Sequence, residues 1–257
     1  MPTGLGDELL WLCPSLDDSP NDLSGNGNNG TYVNGTATVA DSDPTYGGSR
    51  AYNFDGVDAY ISVPSSSSLS FTDAGGDTEC SFSLWAELAS YSNNANSRGI
   101  ALLGKGSTLQ QSADAEYMMN CLNGKPRLTL YPQATNGANY LDSVSTNVEV
   151  PVSTWKHITF TYSGCEVTGC IQIFVDGVLV SATDSSNVYT GMFAGAGNFE
   201  IGTTLRVAFS RWLNGKMDDV RVFNRVLAQS EITLLASTRG FTAGGGTHIN
   251  RTLLGVG

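Results

Sequence analysis

The chain contains few charged residues, and basic residues are the scarcer kind. Only 14% of its 257 residues are charged, and 13 Lys and Arg against 24 Asp and Glu give a formal net charge of −11. Binding to a nucleic-acid backbone needs clustered Lys and Arg, so this composition argues against a nucleic-acid partner. With so few charges, the surface must consist mostly of Ser, Thr, Asn and Gly, a composition that favours strands and turns over long helices.

Long apolar runs are also missing. No segment approaches the roughly 18–20 consecutive apolar residues that a membrane-spanning helix needs, which argues against membrane insertion. The first residues, Met1–Glu8, are acidic and contain neither the basic nor the apolar part of a secretory signal. We therefore expect synthesis in a cytoplasm without a cleaved signal.

Cysteine and histidine are few, with five and two residues. They show no close Cys/His spacing of the kind that binds zinc, so no such metal cluster is predicted. Cys165 and Cys170 flank a short loop between two strand-like runs, and hairpin geometry could place them within disulfide distance. The remaining three lie in apolar, strand-like surroundings and are predicted to be buried free thiols: Cys13, Cys80 and Cys121.

Alternation of apolar and polar residues with a period of two dominates the chain. Residues 158–162 and 171–175 alternate in this way and predict a hairpin, which the tight turn Asp176–Gly177 follows. Asn123–Gly124 predicts another turn, before a strand at 128–131. Strands that recur between Gly, Asn and Pro predict an antiparallel sandwich or jelly roll.

One segment, Val226–Ser237, is predicted to be helical. Ala228 stands three residues before Glu231, where a Ser would complete a capping box, so the start of this helix should depend on packing. Its apolar stripe is predicted to consist of Leu227, Ile232 and Leu235.

Longer motifs follow one another in a fixed order. Residues 22–31 are DLSGNGNNGT, residues 54–64 are FDGVDAYISVP, and residues 214–225 are NGKMDDVRVFNR. Together with the segments at 82–85, 155–162 and 173–180 they resemble laminin-G-like domains of the concanavalin A-like superfamily. The resemblance implies an all-β, concanavalin A-like antiparallel β-sandwich with one short C-terminal helix. Its interior is predicted to include Leu84, Phe160, Ile173, Val175 and Val220.

The last residues fall outside this resemblance, which divides the chain into a sandwich at 1–239 and an extended C-terminal arm at 240–257. The arm is rich in glycine, and its apolar residues are too few to form a core alone. We expect them to contact another protein subunit, either a second copy or a capsid or tail protein. The alternative is an arm that folds back along its own sandwich. The predicted contact residues are Phe241, Ile249, Leu253 and Leu254.

Glycan hydrolases of the same superfamily carry paired carboxylates at alternate positions of one strand. This chain has no E-x-D-x-E spacing, and the strands expected to line the concave sheet offer Glu87, Glu149 or Glu200 singly. His157 follows Trp155 on a strand and is expected to be structural. Catalysis is therefore not predicted.

The resemblance also implies a structural calcium ion that joins the N-terminal loop to the last strand. Asp218 occupies the matching place, and Asp22, Asn26 and the Gly56 carbonyl could supply part of the roughly six to eight oxygens that calcium needs. Alternatively, Asp22 and Asn26 only hydrogen-bond their own turns, as Asx residues do.

Sugar binding would require an exposed aromatic ring in a polar surround, because pyranose rings stack on such flat apolar faces. Three aromatic residues next to loops are the candidates: Trp212, Tyr189 and Tyr140. The leading expectation is a non-enzymatic attachment protein on a virion surface, such as a structural or decoration protein of a bacteriophage, with glycans as further partners. The alternatives are an exported lectin or adhesin at the cell surface and a glycan-active hydrolase or lyase, which the missing carboxylate pair opposes.

Overall fold

The computed structural model describes residues 4–43, 45–74, 76–91, 99–106, 115–132, 139–204 and 211–240. These residues form two antiparallel sheets of eight strands each, and one hydrophobic core lies between them. The predicted all-β sandwich is therefore confirmed. Strands are numbered below along the chain.

The back sheet contains both the first and the last strand of the sandwich. The last strand, Asn214–Phe223, pairs through its first half with residues 52–55 and through its second half with the first strand of the chain. The order of the back sheet is β15 (Val178–Leu179), β14 (Ile171–Val175), β13 (Trp155–Tyr162), β8 (Cys80–Leu88), β20 (Asn214–Phe223), β4 (Arg50–Asp55) and β3 (Ala37–Ala40), with β1 (Glu8–Leu12) also beside β20.

The front sheet consists of eight strands that are interleaved in the sequence with those of the back sheet. All of its neighbouring pairs are antiparallel. Its order is β16 (Ala182–Asn187), β12 (Tyr140–Ser145), β11 (Lys125–Leu130), β10 (Ala115–Leu122), β9 (Ile100–Gly106), β17 (Phe199–Ile201), β5 (Tyr60–Val63) and β2 (Thr31–Val33).

Shorter elements decorate the sandwich. Two small hairpins pair β6 (Thr72–Asp73) with β7 (Gly76–Asp77), and β18 (Thr203–Thr204) with β19 (Arg211–Trp212). A 3-10 turn covers Ser67–Leu69. None of the helical segments in the described ranges combines the length and apolar character that crossing a membrane requires.

The predicted turns have the backbone that their residues favour. Asn123 and Gly124 have φ angles of 52° and 80°, and Asp176 and Gly177 have 52° and 78°. Two successive positive φ angles define the type I′ turn, whose twist matches that of the flanking strands. The predicted hairpin of residues 158–162 with 171–175 is therefore confirmed, as is the tight turn after it.

The helix α1 spans Gln229–Leu235 and is shorter than predicted. Its N-cap, Ala228, has no side-chain oxygen, but the Glu231 carboxylate accepts the Ala228 N–H at 2.8 Å and so supplies the other half of a capping box. The predicted stripe is buried and packs on the outer face of the back sheet with Phe223 and Phe174. Packing of this face, rather than an N-terminal cap, therefore holds the helix.

The core contains the five residues predicted for it. They lie in the cluster between the sheets, and all are buried: Leu84, Phe160, Ile173, Val175 and Val220.

Candidate functional site: the outer face of the front sheet

Polar and aromatic side chains cross the outer face of the front sheet. Side chains alternate between the two faces of a strand. Ile61 and Phe199 belong to the core, so their neighbours Tyr60, Ser62 and Glu200 point outward. The same alternation places a row of residues on this face: Tyr60, Ser62, Glu200, Met118, Asn120, Arg127, Thr129, Tyr140 and Asp142. Arg211 and Trp212, on the separate β18–β19 hairpin, contact Met118 and Tyr60 of this row, and we call the whole set the polar strip.

An aromatic pair forms one end of the polar strip. The rings of Tyr60 and Trp212 lie 5.9 Å apart between centroids at an interplanar angle of 43°, and both side chains are half-buried. The β18–β19 hairpin positions Trp212, because Trp212 pairs with Thr203 and the next residue, Leu213, enters the core. The pair presents apolar ring surface beside polar groups.

Glu200 lies next to this aromatic pair. It is 3% exposed, and its Oε1 accepts a hydrogen bond from Ser62 Oγ at 3.1 Å, while Oε2 has no hydrogen-bond partner among the described residues. Burial raises the pKa of this carboxyl to about 8, and the Ser62 hydrogen bond lowers it by less. Near neutral pH, Glu200 is therefore mostly uncharged and can both donate and accept hydrogen bonds.

Arg211 connects the aromatic end to the middle of the strip. Its Nη1 donates to Met118 Sδ at 3.2 Å, and the side chains of both residues are buried. Met118 is paired in register with Gly104, which in turn faces Glu200. The strip is thus continuous from β19 to β10.

Arg127 and Asp142 form an ion pair at the far end of the strip. The distance from Arg127 Nε to Asp142 Oδ1 is 2.7 Å, and Thr129 Oγ1 donates to the same oxygen at 2.9 Å. Tyr140 lies two residues before Asp142 on the same face and is half-buried. Five inter-strand spacings separate Tyr140 from Tyr60, or about 24 Å at the usual strand spacing.

The three aromatic residues predicted for sugar binding therefore do not cluster. Trp212 and Tyr140 lie at opposite ends of the polar strip. Tyr189 lies elsewhere: it packs against the sandwich core, and its hydroxyl donates to Asp77, which also accepts the Tyr162 hydroxyl at 2.6 Å. Tyr189 thus fastens a connection after β16 to the β6–β7 hairpin.

The carboxylates that sequence analysis assigned to the concave sheet also separate. Glu200 does lie in the front sheet, but Glu87 lies on β8 of the back sheet beside Lys216, and Glu149 lies in a connection. The other carboxylate of the polar strip, Asp142, is four inter-strand spacings from Glu200, or about 19 Å. Paired carboxylates of glycan hydrolases are only about 5–10 Å apart.

His157 has a structural environment. It is 1% exposed on the outer face of the back sheet, and its Nε2 lies 2.8 Å from Ser83 Oγ. Burial, and to a lesser degree the charge of Arg221, lower the pKa of His157 to about 3. The imidazole is therefore neutral and remote from the polar strip.

The loop residues predicted to bind calcium bond to their own surroundings. Asp22 Oδ1 accepts the N–H groups of Trp11 and Ser24, each at 2.9 Å, and Oδ2 accepts the N–H of Asn28 at 2.9 Å. Asn26 Nδ2 donates to the Glu8 carbonyl at 2.8 Å. These contacts match the alternative in which Asx residues organise their own loop.

Asp218 is likewise engaged by protein donors. Its Oδ1 accepts the Asp219 N–H at 2.8 Å, and its Oδ2 accepts Ser15 Oγ at 2.5 Å and lies 3.6 Å from Arg239 Nε. Burial, followed by the neighbouring Asp219 charge, raises the pKa of Asp218 to about 7. A site that already holds a guanidinium does not fit a calcium ion.

The remaining member of the predicted calcium set, Gly56, has a φ of 75° and donates its N–H to the Leu213 carbonyl at 2.9 Å. The described residues contain no group of three or more His, Cys, Asp or Glu that could hold a metal. The predicted calcium site stays untested, and the contacts of Asp218 lead us to expect that calcium does not bind there.

The cysteines behave as two kinds. Cys165 and Cys170 form a disulfide with their Cα atoms 5.8 Å apart, and Cys13, Cys80 and Cys121 are buried free thiols.

The predicted contact residues of the arm, which are Phe241, Ile249, Leu253 and Leu254, lie outside the described residues.

The fold and the polar strip together define a concanavalin A-like sandwich with a candidate binding face on its front sheet. The family model of the concanavalin A-like lectin/glucanases superfamily, of laminin G type, matches residues 54–233. The chain therefore belongs to this superfamily. No curated protein sequence matches the chain.

Solved structures with the same fold are distant in sequence. The binding domain of Paraclostridial Mosquitocidal Protein 1 shares 16% identity at a TM-score of 0.62, with 90% of this chain and 52% of that chain covered. Domain 4 of an extracellular arabinanase from Geobacillus stearothermophilus, in complex with arabinotriose, shares 15% identity at a TM-score of 0.59, with 90% of this chain and 98% of that chain covered. The binding domain of Botulinum neurotoxin DC, in complex with rat synaptotagmin II, shares 14% identity at a TM-score of 0.59, with 90% of this chain and 51% of that chain covered. The chain thus spans about half the length of the toxin domains, and these likenesses show the fold.

Proposed function

We propose that this chain is a non-catalytic binding module whose ligand is a glycan bound along the polar strip. The observation that carries the proposal is the half-buried Trp212–Tyr60 pair next to Ser62 and Glu200. Aromatic faces stack on the apolar faces of sugar rings, while nearby hydroxyl and carboxyl groups bond the sugar hydroxyls.

The separation of the carboxylates supports a module without catalysis. Glu200 and Asp142 are too far apart to act on one glycosidic bond, and Asp142 is committed to Arg127 and Thr129. The fold itself is compatible with both sugar and protein ligands, because the arabinanase domain was solved with arabinotriose and the neurotoxin domain with synaptotagmin II. Because the polar strip combines aromatic rings with hydroxyl and carboxyl groups, we favour a sugar over a protein as its ligand.

The experiment measures binding of the full chain to a panel of immobilised neutral and acidic oligosaccharides, followed by titration calorimetry with those that bind. Trp212→Ala should weaken binding roughly tenfold, as expected for one lost stacking contact, and Trp212→Phe should retain most of it. Tyr189→Phe is the matched control, because Tyr189 lies off the strip, and it should leave affinity unchanged. Equal affinities of Trp212→Ala and the parent chain would contradict the proposal.

The setting of the module is a separate proposal. A place on a virion surface, with the arm docked on another subunit, is supported by the glycine-rich sequence after residue 240 and its spaced apolar residues. Its test is the arm deletion described in the Discussion.

A further inference from the structure

Arg127 presents an unused hydrogen-bonding edge on the outer face of the front sheet. Its Nε is taken by Asp142 Oδ1, but its two terminal nitrogens, Nη1 and Nη2, donate to no described residue. The side chain is 23% exposed, whereas that of Asp142 is 6% exposed. The donors that remain therefore belong to the more exposed partner of the ion pair.

The orientation of this guanidinium is fixed by its neighbours. Thr129 Oγ1 holds the Asp142 carboxylate from one side, and Arg127 Nε binds the same oxygen. Burial lowers the pKa of Arg127, but the hydrogen bond and charge of Asp142 outweigh this and raise it, so the guanidinium stays charged. Asn120 lies directly opposite Arg127 in register, on the same face of the sheet.

We propose that Arg127 and Tyr140 form a second subsite that takes a carboxylated sugar residue, an inference that rests on the proposed function. A planar guanidinium with both terminal nitrogens available matches a carboxylate in a bidentate geometry that a lone hydroxyl cannot reproduce. The Tyr140 ring, half-buried on the same face, offers a stacking surface for the ring of that sugar.

The charges of the strip agree with an anionic group at this end. The Arg127–Asp142 pair carries no net charge, and Glu200 is mostly protonated near neutral pH because burial raises its pKa to about 8, so neither carboxyl of the strip adds an unpaired negative charge. Arg211 adds a second cation on the same face. The net charge of −11 opposes an anion only weakly, because physiological salt screens interactions between exposed charges beyond about 8 Å.

The test uses a uronic-acid oligosaccharide and the same oligosaccharide with its carboxylates methyl-esterified. The full chain should bind the acid form at least roughly tenfold more tightly, as expected for one charge-assisted bidentate contact. Arg127→Lys keeps the charge and the contact with Asp142 but loses the planar fork. It should weaken the acid form by a similar factor and leave the ester unchanged. Tyr140→Ala should weaken both forms equally, because stacking is insensitive to the carboxylate.

The outcomes separate this inference from the proposed function. If Trp212→Ala weakens binding of the ester but the acid form binds no more tightly, the carboxylate subsite is wrong and the glycan module stands. If Arg127→Lys weakens binding of both forms equally, Arg127 and Tyr140 recognise sugar hydroxyls rather than the carboxylate, and the inference is also wrong. If no neutral or acidic glycan binds, both proposals fail. Thermal unfolding of each variant shows whether a loss of affinity reflects a loss of folding.

Discussion

The guanidinium of Arg239 lies over the ring of Trp155, 4.0 Å from its centroid, and fixes the end of the described chain on the back sheet. The same side chain donates to the Asp41 carbonyl at 2.9 Å and lies 3.6 Å from Asp218 Oδ2. With α1 on the neighbouring strands, it covers the outer face of the back sheet. On the front sheet, the candidate ligand surface lies around the half-buried Tyr60, Trp212 and Tyr140.

Removing Arg239 should therefore destabilise the fold without touching the polar strip. Arg239→Ala removes the stacking on Trp155 and the cation beside Asp218. Because the pKa of Asp218 is about 7, this carboxyl can take up a proton, and we expect a loss of about 1–3 kcal/mol at neutral pH. Arg239→Lys keeps the charge but not the planar stacking and should cost less. Urea denaturation measures both, and equal stability of Arg239→Ala and the parent chain would contradict this role.

Glu200 should make stability depend on pH. Its pKa is raised to about 8 in the folded chain, so the folded state keeps a proton that the unfolded chain releases near its ordinary pKa of 4.5. The stabilising contribution is present below pH 4.5 and is lost as pH rises towards 8. Glu200→Gln should match the parent chain near pH 4.5 and melt at a higher temperature near pH 8.5.

Melting curves recorded across this pH range test the role of Glu200. Part of the fall in melting temperature with rising pH should remain in Glu200→Gln, because burial also raises the pKa of Asp218, to about 7. If the melting temperature depends on pH identically in the variant and the parent chain, Glu200 is already ionised in the folded state near neutral pH.

The contacts of Asp218 make a prediction about calcium. Because Ser15, the Asp219 N–H and Arg239 already engage its carboxylate, we expect the same melting temperature in excess calcium and in EDTA. Asp218→Asn is the matched variant, since it removes the charge and keeps the shape. A melting temperature that rises with calcium concentration in the parent chain but not in Asp218→Asn would place the ion at Asp218 after all.

The sandwich could be predicted from the sequence because its signals are local. Asn123–Gly124 and Asp176–Gly177 fix their turns by backbone preference alone, and alternation along β13 and β14 selects the core side. Which sheet receives a strand is not a local property. For that reason, the expectation that Glu87 and Glu200 line one sheet is wrong: Glu200 lies on β17 of the front sheet, whereas β8, which carries Glu87, pairs with β13 and β20 of the back sheet.

The candidate site was predictable only in part. Trp212 and Tyr140 were identified as aromatic residues next to loops, but Tyr189 has the same local sequence character and instead bonds Asp77, 112 residues away. Arg127, Asp142 and Glu200 had one usable signal, their alternation with core residues such as Leu128, Leu141 and Phe199. Their relation to one another depends on the order of the strands, which no short motif encodes.

The arm at 240–257 can be tested with a cleaner boundary than sequence alone provides. Arg239 is anchored on Trp155 and its N–H donates to the Tyr46 carbonyl at 2.9 Å, so a cut after Gly240 leaves the anchor intact. Deleting residues 241–257 removes Phe241, Ile249, Leu253 and Leu254 together.

If these residues dock on another subunit, the shortened chain should keep its melting temperature and lose self-association or attachment to particles, as measured by light scattering and co-sedimentation. A chain in which the four residues are replaced by Ser, with the length kept, should behave in the same way. Unchanged association with a clear fall in melting temperature would show instead that the arm folds back on its own sandwich, and would remove the support for a virion partner.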